Sequence, residues 1–504
     1  MTYHVIIIGC QMNKADSERL SAYLESYGYS LAKNAKTADV IAIATCGVRQ
    51  SPEDRLYGLV NQIRKDNKKA LLIITGCLSQ RVDVKRRLKN KVDIWLPIVE
   101  LPRLMEKILD NKKSPLGDNL VLWAKDNKST HSTGDSIISS EIIKSSKNNN
   151  CGPAGSRTPK AGLSSACRIP HPGPMPESYH FADEEKLKNI YRNYKSYLSI
   201  TPKYSSALMA FVPIGTGCNN FCAYCVVPYA RGREAYRSSA EIISEVRGLL
   251  KKGYKEINLI AQNVNSYRSG RVDFPQLLKK VNALPGDFWI RFFSSHPKDM
   301  SEKLIKAMAT SKKVCEHLHL AVQSGNNQIL EVMNRKYTVE HYKQLIKSFR
   351  RALDNRLGVP AAISTDVIVG FPGETRKQFL DSIKLFKDLK FDMAYLSQYS
   401  PRFGTVAAEM KDNVSRSEKK RREEELNDVL RKTARENNQR YLNKVIEVLV
   451  MGQNKKGELY GQTRTLKGVQ ILGKGDKKLI GKFVTVVIKK VQPFGMAGDL
   501  YEKK

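Results

Sequence analysis

Three times in its first hundred residues the chain runs through a short, β-branched apolar stretch and ends it on a cysteine: HVIIIGC, VIAIATC and LLIITGC. Unbroken apolar runs of this length suit strands buried on both faces of a parallel sheet. Helical patterns such as KADSERLSAYLESYGY and SPEDRLYGLVNQIRK lie between them, so the expected unit is an open βαβα sheet domain. Cys10, Cys46 and Cys77 would then stand at the carboxyl ends of three parallel strands, the edge where such sheets bind ligands. Units 36 and 31 residues apart can bring three thiols together there.

The apolar rhythm stops near residue 112. Residues 125–178 are rich in Ser, Asn, Lys, Gly and Pro, which predicts a disordered insertion with Cys151 and Cys167 as bystanders. Alternation resumes near residue 208 with strand candidates ALMAFVPI, EINLIAQ, FWIRFFS, HLHLAV, AAISTDVIVGF and MAYLSQYS, separated by helical stretches. In SAEIISEVRGLLKKG, for example, Ile242, Ile243, Val246, Leu249 and Leu250 fall on one face. Six βα units predict a parallel, barrel-like sheet shorter than a full eight-unit barrel, with its functional loops at the carboxyl ends of the strands. A charged helix, SRSEKKRREEELNDVLRKTARENNQRYLN, leads into a tail of short strands and glycine turns. That tail reads as a small five-stranded barrel able to bind single-stranded RNA or DNA. The expected boundaries are 1–115, a linker at 116–206, a core at 207–440 and the small barrel at 441–504.

Charge sharpens this picture. The chain has 504 residues and a formal net charge of +35, with 85 Lys plus Arg against 50 Asp plus Glu. Ordinary solubility needs a net charge of only about 2–8 per small domain. The excess is the footprint of a polyanion partner, nucleic acid first and a membrane surface second. The opening MTYHVIIIGCQMN has too short an apolar run for a signal peptide, and no stretch approaches a membrane span. A cytoplasmic setting without a membrane partner is expected, in which thiols stay reduced and nine cysteines serve as metal ligands or core fillers.

The loop GTGCNNFCAYCVVPYARGR places Cys218, Cys222 and Cys225 within eight residues, after the first strand of the second α/β region. Zinc would close a tetrahedron with four ligands, and no second knuckle is present. Cys315 reads as a small core residue, and His317 and His319 as barrel-lining side chains. A cubane [4Fe–4S] cluster, in contrast, can be held by three thiolates with one iron left open.

The CxxxCxxC spacing at the mouth of a βα barrel resembles the radical S-adenosylmethionine (SAM) superfamily. With both trios in place the resemblance narrows to the methylthiotransferases. GCQMNKADSERL, TCGVRQ and TGCLSQR look like their N-terminal cysteine motifs. GCNNFCAYCVVPYARGRE, QNVNSY, RFFSSHP, LAVQSG and VIVGFPGET match their radical SAM portion, and YGQTRTLKGVQILG is similar to a TRAM domain. The fold class implied is α/β: an N-terminal open parallel sheet domain, a partial (βα)6 radical SAM barrel and a C-terminal TRAM β-barrel. The resemblance implies two [4Fe–4S] clusters. One, on Cys218, Cys222 and Cys225, would bind SAM and generate a radical; the other, on Cys10, Cys46 and Cys77, would carry sulfur. It places Tyr224 beside adenine, Gly370 and Glu374 near the nucleoside, and Gln323 and Ser324 near the ribose or methionine. The GCQMN, QNVNSY and CVVPYARG motifs point to the branch that methylthiolates C2 of N6-isopentenyladenosine next to the tRNA anticodon. A reducing electron donor, a sulfur donor and a monomeric state are expected with it.

Two departures stand out. The stretch 125–200 is longer than the family's usual linker, and CGPAGSRTPKAG within it looks foreign to both neighbouring domains. The alternatives within the class act on threonylcarbamoyladenosine in tRNA or on a ribosomal-protein aspartate. From another class, a non-catalytic iron–sulfur protein that binds RNA or senses redox state would share the cysteines but never cleave SAM.

Overall fold

The computed structural model describes residues 1–48, 50–111, 194, 196–354, 356, 358–473 and 475–501. The insertion expected at 125–178, with Cys151 and Cys167, lies outside the described residues.

The three apolar runs form neighbouring strands. A five-stranded parallel sheet has the order β2-β1-β3-β4-β5, with β1 Thr2–Ile8, β2 Ser30–Leu31, β3 Val40–Thr45, β4 Leu71–Gly76 and β5 Ile94–Leu96. Side chains alternate between its two faces, and both faces are covered. Val40, Ala42, Leu71 and Ile73 enter one apolar cluster, while Ile41, Ile43, Leu72 and Ile74 enter another. The strands therefore need no polar side.

The central region carries six parallel strands in two linked sheets. One is β12-β9-β6 and the other β13-β14-β15, with short antiparallel ribbons β7–β8 and β10–β11 outside them. Their spans are β6 Met209–Pro213, β7 Gly215–Thr216, β8 Ala235–Tyr236, β9 Glu256–Ile260, β10 Arg268–Ser269, β11 Val272–Asp273, β12 Trp289–Phe292, β13 His317–His319, β14 Ala362–Val369 and β15 Met393–Gln398. Parallel bridges Ile290–Val314 and Ser295–Leu320 join the two sheets, giving the partial (βα)6 barrel. Helices cover its outside. Ile242, Val246 and Leu249 of the helix Ser239–Lys251 are buried in the large barrel core, with Ile243 and Leu250 at its margin.

Five antiparallel-rich strands close the C-terminal barrel in the order β16-β17-β18-β20-β19: β16 Val445–Gln453, β17 Leu459–Thr463, β18 Gly468–Ile471, β19 Phe483–Gln492 and β20 Gly495–Leu500. It docks on the amino ends of the central strands, leaving their carboxyl ends to the cysteines. Arg291 of β12 donates to the Thr463 and Arg464 carbonyls at 2.6 and 2.7 Å while its Nε pairs with Glu256 at 3.0 Å. Arg464 reaches back to Glu316 at 2.7 Å. Cys315 packs between Trp289 and Leu449 in this seam, the core role its sequence context indicates. Among the described residues no helix is long and apolar enough to cross a membrane.

Arg291 and Glu256 are each 1% exposed, so removing one partner strands a buried charge. Arg291→Ala should lower the unfolding free energy of the unit containing the small barrel by about 3–5 kcal/mol, read as an earlier urea transition. Lys303→Ala, which breaks an exposed pair with Asp273, should shift it by less than about 1 kcal/mol.

Candidate active site

Registers Ile8–Thr45 and Thr45–Gly76 put the ends of β1, β3 and β4 in one row, and Cys10, Cys46 and Cys77 follow directly. Cys10 caps the helix Gln11–Ser26. The Asn13 side-chain oxygen lies 3.3 Å from both its N–H and its Sγ, and the Asn13 amide donates to the Thr45 carbonyl at 2.9 Å. One side chain thus fastens two strand ends and a thiol. Gly76 has φ +85°, and a Cβ there would meet the Thr45 carbonyl at 2.3 Å, so only glycine lets Cys77 turn inward.

The second trio sits in a loop braced from three sides. Cys218 N–H bonds to the Gly232 carbonyl at 3.1 Å, and Gly217 N–H to Gln262 at 2.7 Å. Ala223 exchanges backbone bonds with Met333 and Ala407. It also packs in an apolar cluster with Phe371 and Tyr399. Arg335, 6% exposed, donates to Cys222 Sγ at 3.4 Å and to the Ala321 carbonyl at 2.6 Å.

The two trios face each other. A Cβ on Gly47 would lie 3.3 Å from Cys77 Cβ and 3.3 Å from Val226 Cγ2, the residue after Cys225. Cys77 and Cys225 interact electrostatically. Around them the domains are fastened by Met12 and Ala15 against Phe211 and Ile260. Arg402 bonds to Glu53 at 3.1 Å and Gln50 at 2.8 Å, and Arg231 to Asp16 at 2.5 Å.

The thiols differ in readiness to ionise. Cys10 is drawn down to about 6, mainly by the hydrogen bond from Cys46 and further by the charge of Arg231. Cys46 goes the other way, raised well above the ordinary thiol range by giving that proton and by burial. Burial lifts Cys218 to about 11 and raises Cys225 also.

Iron–sulfur clusters fit these residues. A thiolate is costly in such burial unless a cation offsets it, and each trio has one: Arg231 acts on Cys10 and Cys77, Arg335 on Cys222. Arg231 Nη1 is buried with no hydrogen-bond partner among the described residues, a donor without an acceptor beside the first trio. No group of three Cys, His, Asp or Glu side chains among those residues is arranged to hold a single ion. A cluster spreads its thiolates over separate irons, so it does not need them gathered about one point.

The remaining expected positions divide. Tyr224 stands edge-on to Phe371, 6.5 Å between ring centres, which brings it to the Gly370 turn. Gln323 has φ +69° and a buried side-chain oxygen with no partner among the described residues. Ser324 is fully buried and accepts from Asn326 N–H at 3.2 Å. Glu374 is tied by one oxygen to Gly370 N–H at 2.7 Å and Arg422 at 2.8 Å, which braces the end of β14. His317 and His319 share Ser364 at 2.9 and 3.0 Å inside the barrel, although His317 Nδ1 has no partner among the described residues.

Comparison with known proteins agrees with this layout. Residues 2–97 match the uncharacterized protein family UPF0004, 212–386 the radical SAM superfamily and 439–500 the TRAM domain. A tRNA-2-methylthio-N(6)-dimethylallyladenosine synthase from Thermoanaerobacter sp. (strain X514) is 38% identical, covering 99% of this chain and 93% of that protein. The one from Syntrophomonas wolfei is 34% identical, covering 100% and 98%. The chain belongs to the tRNA-2-methylthio-N(6)-dimethylallyladenosine synthase family. As a radical SAM member of that synthase family it uses a [4Fe–4S] cluster and SAM. Asn13, Asp16, Arg231 and Arg335 were not singled out by the sequence reading. Asn13 and Asp16 lie inside GCQMNKADSERL and Arg231 inside GCNNFCAYCVVPYARGRE, whereas Arg335 falls in none of the quoted motifs.

In the cluster-free protein, iodoacetamide should modify Cys10 first at neutral pH. Its thiolate is present above about 6, so labelling should fall as pH drops through that value, while Cys46 and Cys218 stay protonated and unlabelled. Peptide mass spectrometry reads this; equal labelling of the three would contradict the assignment.

Proposed function

We propose that this chain methylthiolates C2 of N6-isopentenyladenosine beside the tRNA anticodon, with one [4Fe–4S] cluster on Cys218, Cys222 and Cys225 and a second on Cys10, Cys46 and Cys77. The observation that carries this is the apposition of two three-thiol sites across the Gly47–Val226 contact. When bound, the clusters and SAM supply a radical that takes hydrogen from the substrate carbon and a methylthio group that replaces it.

The chain's own residues orient and enclose. Tyr224 on Phe371 offers an aromatic surface for the adenine of SAM, and the Gln323 side-chain oxygen offers an acceptor to a hydroxyl or ammonium of the same molecule. Glu374 and Arg422 hold the Gly370 turn against which that molecule would lie. Facing trios shorten the path between radical and sulfur, which matters because a reactive intermediate must meet its target at near-contact distance. The C-terminal barrel carries exposed Lys477, Lys478, Lys489 and Lys490 together with exposed Tyr460, Phe494 and Tyr501. Cations along a groove and aromatic faces for bases are what single-stranded RNA needs. The reaction draws on an external reductant and a sulfur donor. Since both trios lie in one chain, a monomer suffices.

Anaerobic iron and sulfide analysis of the purified protein should find eight irons per chain, two cubanes of four each. Four irons, or zinc, would overturn the two-cluster assignment. In a strain lacking the gene, mass spectrometry of tRNA nucleosides should show loss of methylthio-isopentenyladenosine. An unchanged nucleoside profile would point instead to a protein substrate.

A further inference from the structure

Arg231 is the last residue of the short helix Val227–Arg231 that follows the second trio, yet its guanidinium reaches Asp16 on the helix that Cys10 of the first trio caps. It is 3% exposed. Nη2 pairs with Asp16 at 2.5 Å, and the other Asp16 oxygen accepts from the Tyr197 hydroxyl. Asp16 is itself fully buried. Nη1 has no partner among the described residues, although an N–H withdrawn from water costs free energy if nothing accepts it. Besides Asp16, Cys77 and Tyr197 act on its charge, and that charge in turn acts on Cys10.

We propose that Arg231 is a positioning residue of the N-terminal cluster: its Nη1 donates to the sulfur-rich group on Cys10, Cys46 and Cys77, and its charge, partly offset by Asp16, raises that cluster's reduction potential. The inference rests on the two-cluster reading above and adds a role for residues outside the ligand set. Its physical basis is simple. Reduction adds one electron to the cluster and hence one negative charge, which a buried cation and an N–H donor stabilise, while a nearby carboxylate opposes it. Because Arg231 comes from the radical SAM domain and Asp16 from the sheet domain, the same pair that joins the domains sets the electrostatics of the sulfur-carrying site.

The test is an anaerobic potentiometric titration of the reconstituted holoenzyme with dithionite, followed by electron paramagnetic resonance. The N-terminal cluster is the one whose signal SAM addition leaves unchanged. Arg231→Gln should move its midpoint to lower potential and Asp16→Asn to higher potential, with Arg231→Lys between Arg231→Gln and the parent. The SAM-responsive cluster should keep its midpoint in all three. Equal or same-direction shifts in Arg231→Gln and Asp16→Asn, or no shift, would overturn the proposal, since a purely structural strap predicts that both variants behave alike. If Arg231→Gln fails to hold iron, the opposite displacements of Arg231→Lys and Asp16→Asn decide. A parent enzyme with only four irons would fail the two-cluster reading itself, which is a separate result.

Discussion

A carboxylate from one domain and a guanidinium from the other, both out of reach of water, stand where the two α/β sheets meet. Asp16 and Arg231 constrain everything else at the site. The N-terminal sheet brings three thiols from three strand ends and the barrel three from one loop, each at a carboxyl edge, and these edges are useful only if they face one another. A buried pair of this kind adds little net stability over a well-packed apolar contact, but it tolerates few alternative arrangements, because losing either partner leaves a naked buried charge. Apolar contact from Met12 and Ala15 onto Phe211 and Ile260, and the Glu53–Arg402–Gln50 contacts, hold the same orientation from either side.

The strand pattern was legible because burial on both faces leaves no room for polar residues. The runs ending at Cys10, Cys46 and Cys77 became neighbouring strands, and all six central strand candidates became strands of the partial barrel. The helix Gln11–Ser26 was legible as a helix but not in its role. It buries Asn13, Asp16, Ser17, Glu18 and Arg19 as well as Leu20 and Leu24. Polar residues at such positions read as a solvated face, and here the face is covered by a second domain some two hundred residues away in sequence. Glu374 shows the opposite limit. One oxygen of its carboxylate is bound to the Gly370 N–H and to Arg422, a pairing that spacing cannot reveal.

The same long-range logic explains the C-terminal barrel. Its strands follow from local alternation, yet its docking depends on Arg291 and Arg464 crossing to backbone carbonyls and acids far away in the chain. Docking at the amino ends of the central strands keeps the cysteine-bearing edge clear, and leaves basic and aromatic side chains of the small barrel exposed.

Whether the two thiol sites divide the chemistry is best measured by replacing Cys10, Cys46 and Cys77 together with alanine. The variant should retain four irons, still cleave SAM to 5′-deoxyadenosine under reducing conditions, and yield no methylthiolated nucleoside. Methylthiolation that survives the replacement, or SAM cleavage that disappears with it, would contradict the account.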